Sequence, residues 1–141
     1  MLRNEVTTIR LNGVEFYLAG LEQIEQPAGD AFSALADLPP SGPTILMAHY
    51  PSTVYELRSG NVDLMLSGHT HGGQWRVPLC GCLWANDHIH PRYARGLHRI
   101  NGTLLNVSAG IGTSGVFAWR INCPSEITLL TLRSGSCPSA A

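Results

Sequence analysis

Two short apolar runs, Thr44-Ile-Leu-Met-Ala48 and Val62-Asp-Leu-Met-Leu66, both lead into a histidine: His49 directly, and His69 after Ser67-Gly68. Runs this short fit buried strands better than helices, which need roughly ten residues or more. Between them Tyr50-Pro51-Ser52 supplies a turn and Ser52 a candidate N-cap. Residues 53–59 then read as a short helix ended at Gly60. Two such strands joined by a helix-containing connector of about a dozen residues form a parallel βαβ unit. Open α/β sheets bind ligands beyond the carboxyl ends of their strands, where His49 and His69 both fall.

The second run continues into Gly68-His69-Thr70-His71-Gly72-Gly73. In an extended segment residues two apart point to one side, so His69 and His71 are expected to converge. The flanking glycines allow tight or positive-φ backbone around them. Imidazole is the commonest metal-ligand side chain, with one nitrogen free to coordinate while the other is held by an acceptor. His49, from the neighbouring strand end, completes a candidate ligand set of three. Taken without their surroundings, these three also fit polar loop residues bonded to backbone.

Elsewhere the pattern is mainly β. Residues 6–11 and 14–18 flank Asn12-Gly13, and residues 98–100 and 103–107 flank Asn101-Gly102, two hairpin signals. Asp30 is placed to cap a short helix running to about Leu38, stopped by Pro39-Pro40. Residues 75–95 read as irregular, residues 108–115 as a Gly-rich loop, and residues 126–133 as a final alternating strand. The small-residue stretch 134–141 reads as a flexible tail.

Only 13% of residues are charged, about half the roughly 25% of an ordinary soluble domain. Either the surface is rich in small polar residues or an apolar part of it is covered by something else. A formal net charge of −1, with no run of either sign, argues against nucleic-acid binding driven by bulk charge. No apolar run approaches the roughly 18 residues of a membrane span, and the first residues lack the apolar core of a secretory signal. Compartment stays open between cytoplasm and a peripheral place at a membrane.

The remaining motifs point less sharply. Cys80, Cys82, Cys123 and Cys137 are too unevenly spaced for a disulfide framework. Cys80-Gly-Cys82 followed by His88-Ile-His90 allows a zinc site, although that spacing is not the usual knuckle. Asn101-Gly-Thr103 and Asn106-Val-Ser108 match glycosylation acceptors but serve equally as hairpin and strand residues. Arg120 and Glu126 are candidates for a structural ion pair, and Trp75, Trp84 and Trp119 for core or loop packing.

Taken together, Leu46-Met-Ala-His49-Tyr-Pro51, residues 62–74 with their Gly-His-Thr-His-Gly-Gly turn, residues 107–115, and Asn122-Cys-Pro-Ser-Glu-Ile127 resemble the calcineurin-like metallophosphoesterases, specifically a bacterial, often membrane-associated branch. The resemblance runs from about Leu2 to Arg133, in several ordered blocks. It implies an α/β fold, the C-terminal half of an αββα sandwich with a mixed sheet, over residues 1–133. It implies two divalent ions, manganese, iron or zinc, with His49 and His69 on one and His71 on the other. It also implies hydrolysis of a phosphomonoester or phosphodiester substrate by metal-bound hydroxide, the ions lying roughly 3.5–4 Å apart.

The family's Asp-x-His, Gly-Asp and Gly-Asn-His blocks have no counterpart here. Gly29-Asp30 follows no buried strand, Asp87-His88 lacks the spacer, and Gly60-Asn61 leads into Val62. Three neutral imidazoles do not offset four positive charges, so a tight two-metal centre is not expected from this chain alone. The expectation is therefore half of an enzyme, inactive by itself. An N-terminal half supplied elsewhere, or self-association through an uncovered apolar face, would complete it. The other reading is a non-catalytic metal-binding or interaction module, completed by a partner chain or left as a truncated gene product.

Overall fold

A computed structural model describes residues 2–22, 35, 36, 38, 41–58, 60–115 and 119–133. Among these described residues are eight strands: β1 (Glu5–Leu11), β2 (Val14–Gly20), β3 (Thr44–Met47), β4 (Leu64–Ser67), β5 (Arg76–Val77), β6 (Gly81–Cys82), β7 (Gly96–Ile100) and β8 (Thr103–Val107). Six make one mixed sheet in the order β1-β2-β3-β4-β8-β7, and β5 and β6 form a separate pair.

Both hairpins form where the Asn-Gly dipeptides predict them. Asn12 and Gly13 have φ of 51° and 78°, and Asn101 and Gly102 of 50° and 87°. Positive φ at both turn residues gives the twist that two antiparallel strands need, and Asn and Gly tolerate it best. Each hairpin joins the sheet through one strand, β2 lying parallel to β3 and β8 parallel to β4. Asn101 thus occupies a turn and Asn106 is buried in β8.

At the centre β3 and β4 run parallel, as their apolar runs imply, with Leu46 opposite Met65. Their connector differs from expectation. It contains a 3-10 turn, Pro51–Tyr55, with Pro51 in its first positions and no side-chain cap, so Ser52 does not cap a helix. Five residues that include Pro51 and the β-branched Thr53 and Val54 are too few and too stiff to propagate an α-helix. Ser59 and the segment around Asp30 lie outside the described residues, although Leu35 and Ala36 are helical.

Register explains the core. Ala19, Leu46, Met65 and Leu105 stand opposite one another across four strands, and none has any exposed surface. Val54 from the 3-10 turn, Val62 and Val107 close over this face. Burying side chains of this size stabilises by about 1.5–3 kcal/mol each. On the opposite face coverage is thinner, and Met47 is 40% exposed.

Residues 126–133 form no strand. Their alternation is that of a sheet element, but a strand exists only when a neighbouring backbone answers its N–H and C=O groups. Here the amide of Glu126 donates to the Gly110 carbonyl at 3.0 Å, while Ile127 and Leu129 are 87% and 91% exposed. The short hairpin β5–β6 and a 3-10 turn, Pro91–Tyr93, interrupt a stretch expected to be irregular. The stretch 134–141 lies outside the described residues. Among those described, no helix is long and apolar enough to cross a membrane.

Candidate metal centre

The hydrogen-bond ladder of the parallel pair continues past the strand ends. Ala48 N–H donates to Leu66 O at 3.1 Å and Gly68 N–H to His49 O at 3.2 Å. His49 and the start of the Gly-His-Thr-His-Gly-Gly turn are thereby held side by side. Nε2 of His49 lies 3.2 Å from Nδ1 of His69, and the Tyr50 ring sits against both, its centroid 4.2 Å from that of His69 and 5.2 Å from that of His49.

The other nitrogen of His69, Nε2, lies 2.7 Å from the Asn86 carbonyl. A carbonyl only accepts, so Nε2 carries the hydrogen and Nδ1 presents its lone pair toward His49. Two ring nitrogens about 3 Å apart fit adjacent ligands of one ion, whose bonds to imidazole run about 2.0–2.1 Å. Burial, then repulsion from His69 and His71, holds the His49 imidazole below its ordinary range, against a smaller opposing pull from Asp87. Its neutral, coordinating form is favoured accordingly.

His71 does not join that pair. The turn is not extended: φ is 62° at His69, −67° at Thr70 and 50° at His71. Side chains two apart share a side only in a strand, so the extended-chain argument for bringing His69 and His71 together does not hold here, although both act on His49. His71 instead sets Nδ1 at 3.2 Å from the Gly112 carbonyl. Non-glycine residues at positive φ cost on the order of 1–3 kcal/mol and persist only where surroundings enforce them. Thr70 does much of this, its buried hydroxyl donating to Ala94 O at 2.7 Å and accepting from the Gly72 amide at 3.3 Å.

The two following glycines are required for space as well as for φ. A Cβ on Gly72 would lie 2.7 Å from Cys123 Sγ and 2.9 Å from the Ala109 side chain, and one on Gly73 would overlap Cys82. Gln74 then reaches across to residue 114, its amide donating to Ser114 O at 2.9 Å and accepting from Ser114 N at 2.7 Å.

Other expectations fare less well. Among the described residues no three His, Cys, Asp or Glu side chains gather closely enough to hold an ion. Cys82 is buried with its thiol on the Trp84 carbonyl and its ionisation pushed up by that burial, whereas Cys80 faces solvent. The Cys80, Cys82, His88, His90 zinc site therefore does not assemble; β5–β6 turns the two thiols apart. Glu126 pairs with Arg95 at 2.5 Å rather than with Arg120, and its second oxygen takes the Ala109 amide at 2.8 Å. Trp75, Trp84 and Trp119 are 48%, 74% and 68% exposed, so none belongs to the core.

Sequence reasoning missed Tyr50, Asn86, Gln74 and the true role of Arg120. Tyr50 stood next to His49 and Gln74 three residues after His71, and that proximity was the available signal. Asn86 acts through its backbone carbonyl, which no residue type announces.

The chain is 34% identical over 136 residues to the phosphodiesterase YaeI of Escherichia coli, covering 94% of this chain and 47% of that protein. It is 39% identical over 126 residues to an uncharacterized metallophosphoesterase of Helicobacter pylori, covering 88% of this chain and 32% of the relative. It is 31% identical over 122 residues to the UDP-2,3-diacylglucosamine pyrophosphatase LpxG of Chlamydia trachomatis, covering 80% and 36%. The chain thus spans about half or less of the length of these relatives. No family model matches it, and no solved structure matches it significantly. With relatives named phosphodiesterase and metallophosphoesterase aligned along most of its length, the chain belongs to the calcineurin-like metallophosphoesterase family, whose name implies use of divalent metal.

Proposed function

We propose that this chain is the histidine-bearing portion of a metal-dependent phosphoesterase, acting on a phosphomonoester or phosphodiester, with His49 and His69 on one divalent ion and His71 on a second. The observation that carries the proposal is the 3.2 Å approach of His49 Nε2 to His69 Nδ1, with the far nitrogen of His69 engaged by a carbonyl. In such sites bound ions neutralise phosphoryl oxygens and activate water. The residues of this chain hold and orient: Asn86 O fixes the His69 ring, Gly112 O fixes His71, and the Thr70 hydroxyl holds the turn between them.

Among the described residues no acidic ligand joins the assembled site, and neutral imidazoles alone leave the charge of two ions uncompensated. We therefore assign the acidic blocks, and the remainder of a two-sheet sandwich, to sequence outside these 141 residues, in keeping with the 47% and 32% of the relatives that the chain spans. Titration with cobalt(II), followed by its visible spectrum, tests the ligand assignment. Binding abolished by His69→Ala is the expected result; an unchanged spectrum in that variant overturns the assignment. The same preparation with manganese is expected to hydrolyse bis(p-nitrophenyl) phosphate no faster than manganese in buffer, and a rate above that background lost on His69→Ala overturns the incompleteness.

A second reading is favoured by one observation. Ile127, Leu129 and Leu132 are exposed on a segment that no described strand pairs. This suits a non-catalytic metal-binding or interaction module whose edge is completed by a partner chain or a second copy.

A further inference from the structure

Arg120 is a partly buried cation that, among the described residues, meets no carboxylate. Its guanidinium is spent on main-chain carbonyls of three separate segments. Nη2 donates to Ala109 O at 2.7 Å, to Gly110 O at 3.1 Å and to Gly112 O. Nε also reaches Gly112 O, at 3.1 Å, and Nη1 reaches His71 O at 3.3 Å and Cys123 O at 3.4 Å. Guanidinium presents five donors in a rigid fork, which suits the gathering of several acceptors around one plane.

Two of those carbonyls bear directly on His71. One is its own, which also accepts from Cys123 Sγ at 3.4 Å. The other, Gly112 O, is the group that faces His71 Nδ1 at 3.2 Å. A carbonyl held by a cation stays in place and accepts from the imidazole in one orientation only.

We infer that Arg120 is the positioning residue for His71: by fixing Gly112 O it holds the ring with hydrogen on Nδ1 and the lone pair on Nε2. That this prepares Nε2 for a metal ion rests on the function proposed above. The tautomer and its dependence on Arg120 do not.

Long-range proton–nitrogen spectra of the chain labelled with 15N-histidine, recorded at pH 8 where imidazole is ordinarily neutral, read the tautomer directly. The expected result is His71 with protonated Nδ1 and bare Nε2 in the unaltered protein. In Arg120→Gln that pattern is expected to collapse to a mixture of tautomers while the His69 signals stay where they were. Arg120→Lys keeps the charge but loses the fork, and is expected to fall between.

A His71 protonated on Nε2 in the unaltered protein overturns the inference without need of any variant. So does an unchanged His71 in a folded Arg120→Gln or Arg120→Lys chain, or a collapse in Arg120→Gln that scrambles His69 equally, which marks a merely structural role. Zinc added to the same samples separates this from the functional reading. Silence of all three histidines sinks metal binding and leaves the tautomer assignment standing. A response of His71 is expected to need roughly tenfold more zinc in Arg120→Gln, the usual size of losing a group that orients a ligand.

Discussion

The three histidines proposed as ligands are set by their surroundings, two of them by main-chain carbonyls. His69 is oriented by the Asn86 carbonyl, His71 by that of Gly112, and His49 by its place at the end of β3 beside Gly68. The fold opposes protonation of His49, through burial first and neighbouring imidazoles second. Its pKa in the folded chain lies below the ordinary 6.5, so between those two values the unfolded chain binds more protons. Stability on this account is fully present above pH 6.5 and is lost as pH falls through the depressed value. Urea denaturation at pH 7.5 and 5.5 should show a lower midpoint at 5.5, and His49→Gln should narrow that gap. An equal or wider gap in the variant would contradict the cause given for the shift.

At the scale of elements, the sheet was legible where local chemistry decides and obscure where partners decide. Asn12-Gly13 and Asn101-Gly102 announce their hairpins because a two-residue turn demands positive φ, which those residues accept. The apolar runs of β3 and β4 announce central strands because a short continuous apolar run suits the buried middle of a sheet. Residues 126–133 show a strand's alternation yet pair with nothing described, since pairing is a property of two segments and alternation of one. The helix expected after His49 became a 3-10 turn for the reason visible in its own residues, Pro51, Thr53 and Val54. Leu46 and Met65 occupy the fully buried row at the centre of the sheet. Leu46→Ala should cost about 2–5 kcal/mol, as core truncations of this size do. Chemical denaturation measures it, and a loss below 1 kcal/mol would show that this row is not the main core.

Across the whole molecule, one face of the sheet is closed and the other thinly covered, with Met47, Ile127, Leu129 and Leu132 all exposed. This matches the low charge content: few charges are available to make that side hydrophilic. If the exposed segment is completed by a second copy or a partner, the purified chain should not stay monomeric. Sedimentation analysis at rising concentration should show mass increasing beyond that of the 15.2 kDa chain, and Leu129→Lys should reverse it. A monomer throughout the range would favour completion by sequence beyond these residues. The sequence by itself determined the two Asn-Gly hairpins, the parallel pair and the candidate ligands, because turn conformation, apolar run length and imidazole chemistry are local properties. Only the tertiary structure decided that His69 turns toward His49 while His71 turns toward Gly112, and that Arg120 grips carbonyls instead of Glu126. Those choices depend on main-chain carbonyls brought from as far as 49 residues away, and a carbonyl is the same in every residue type.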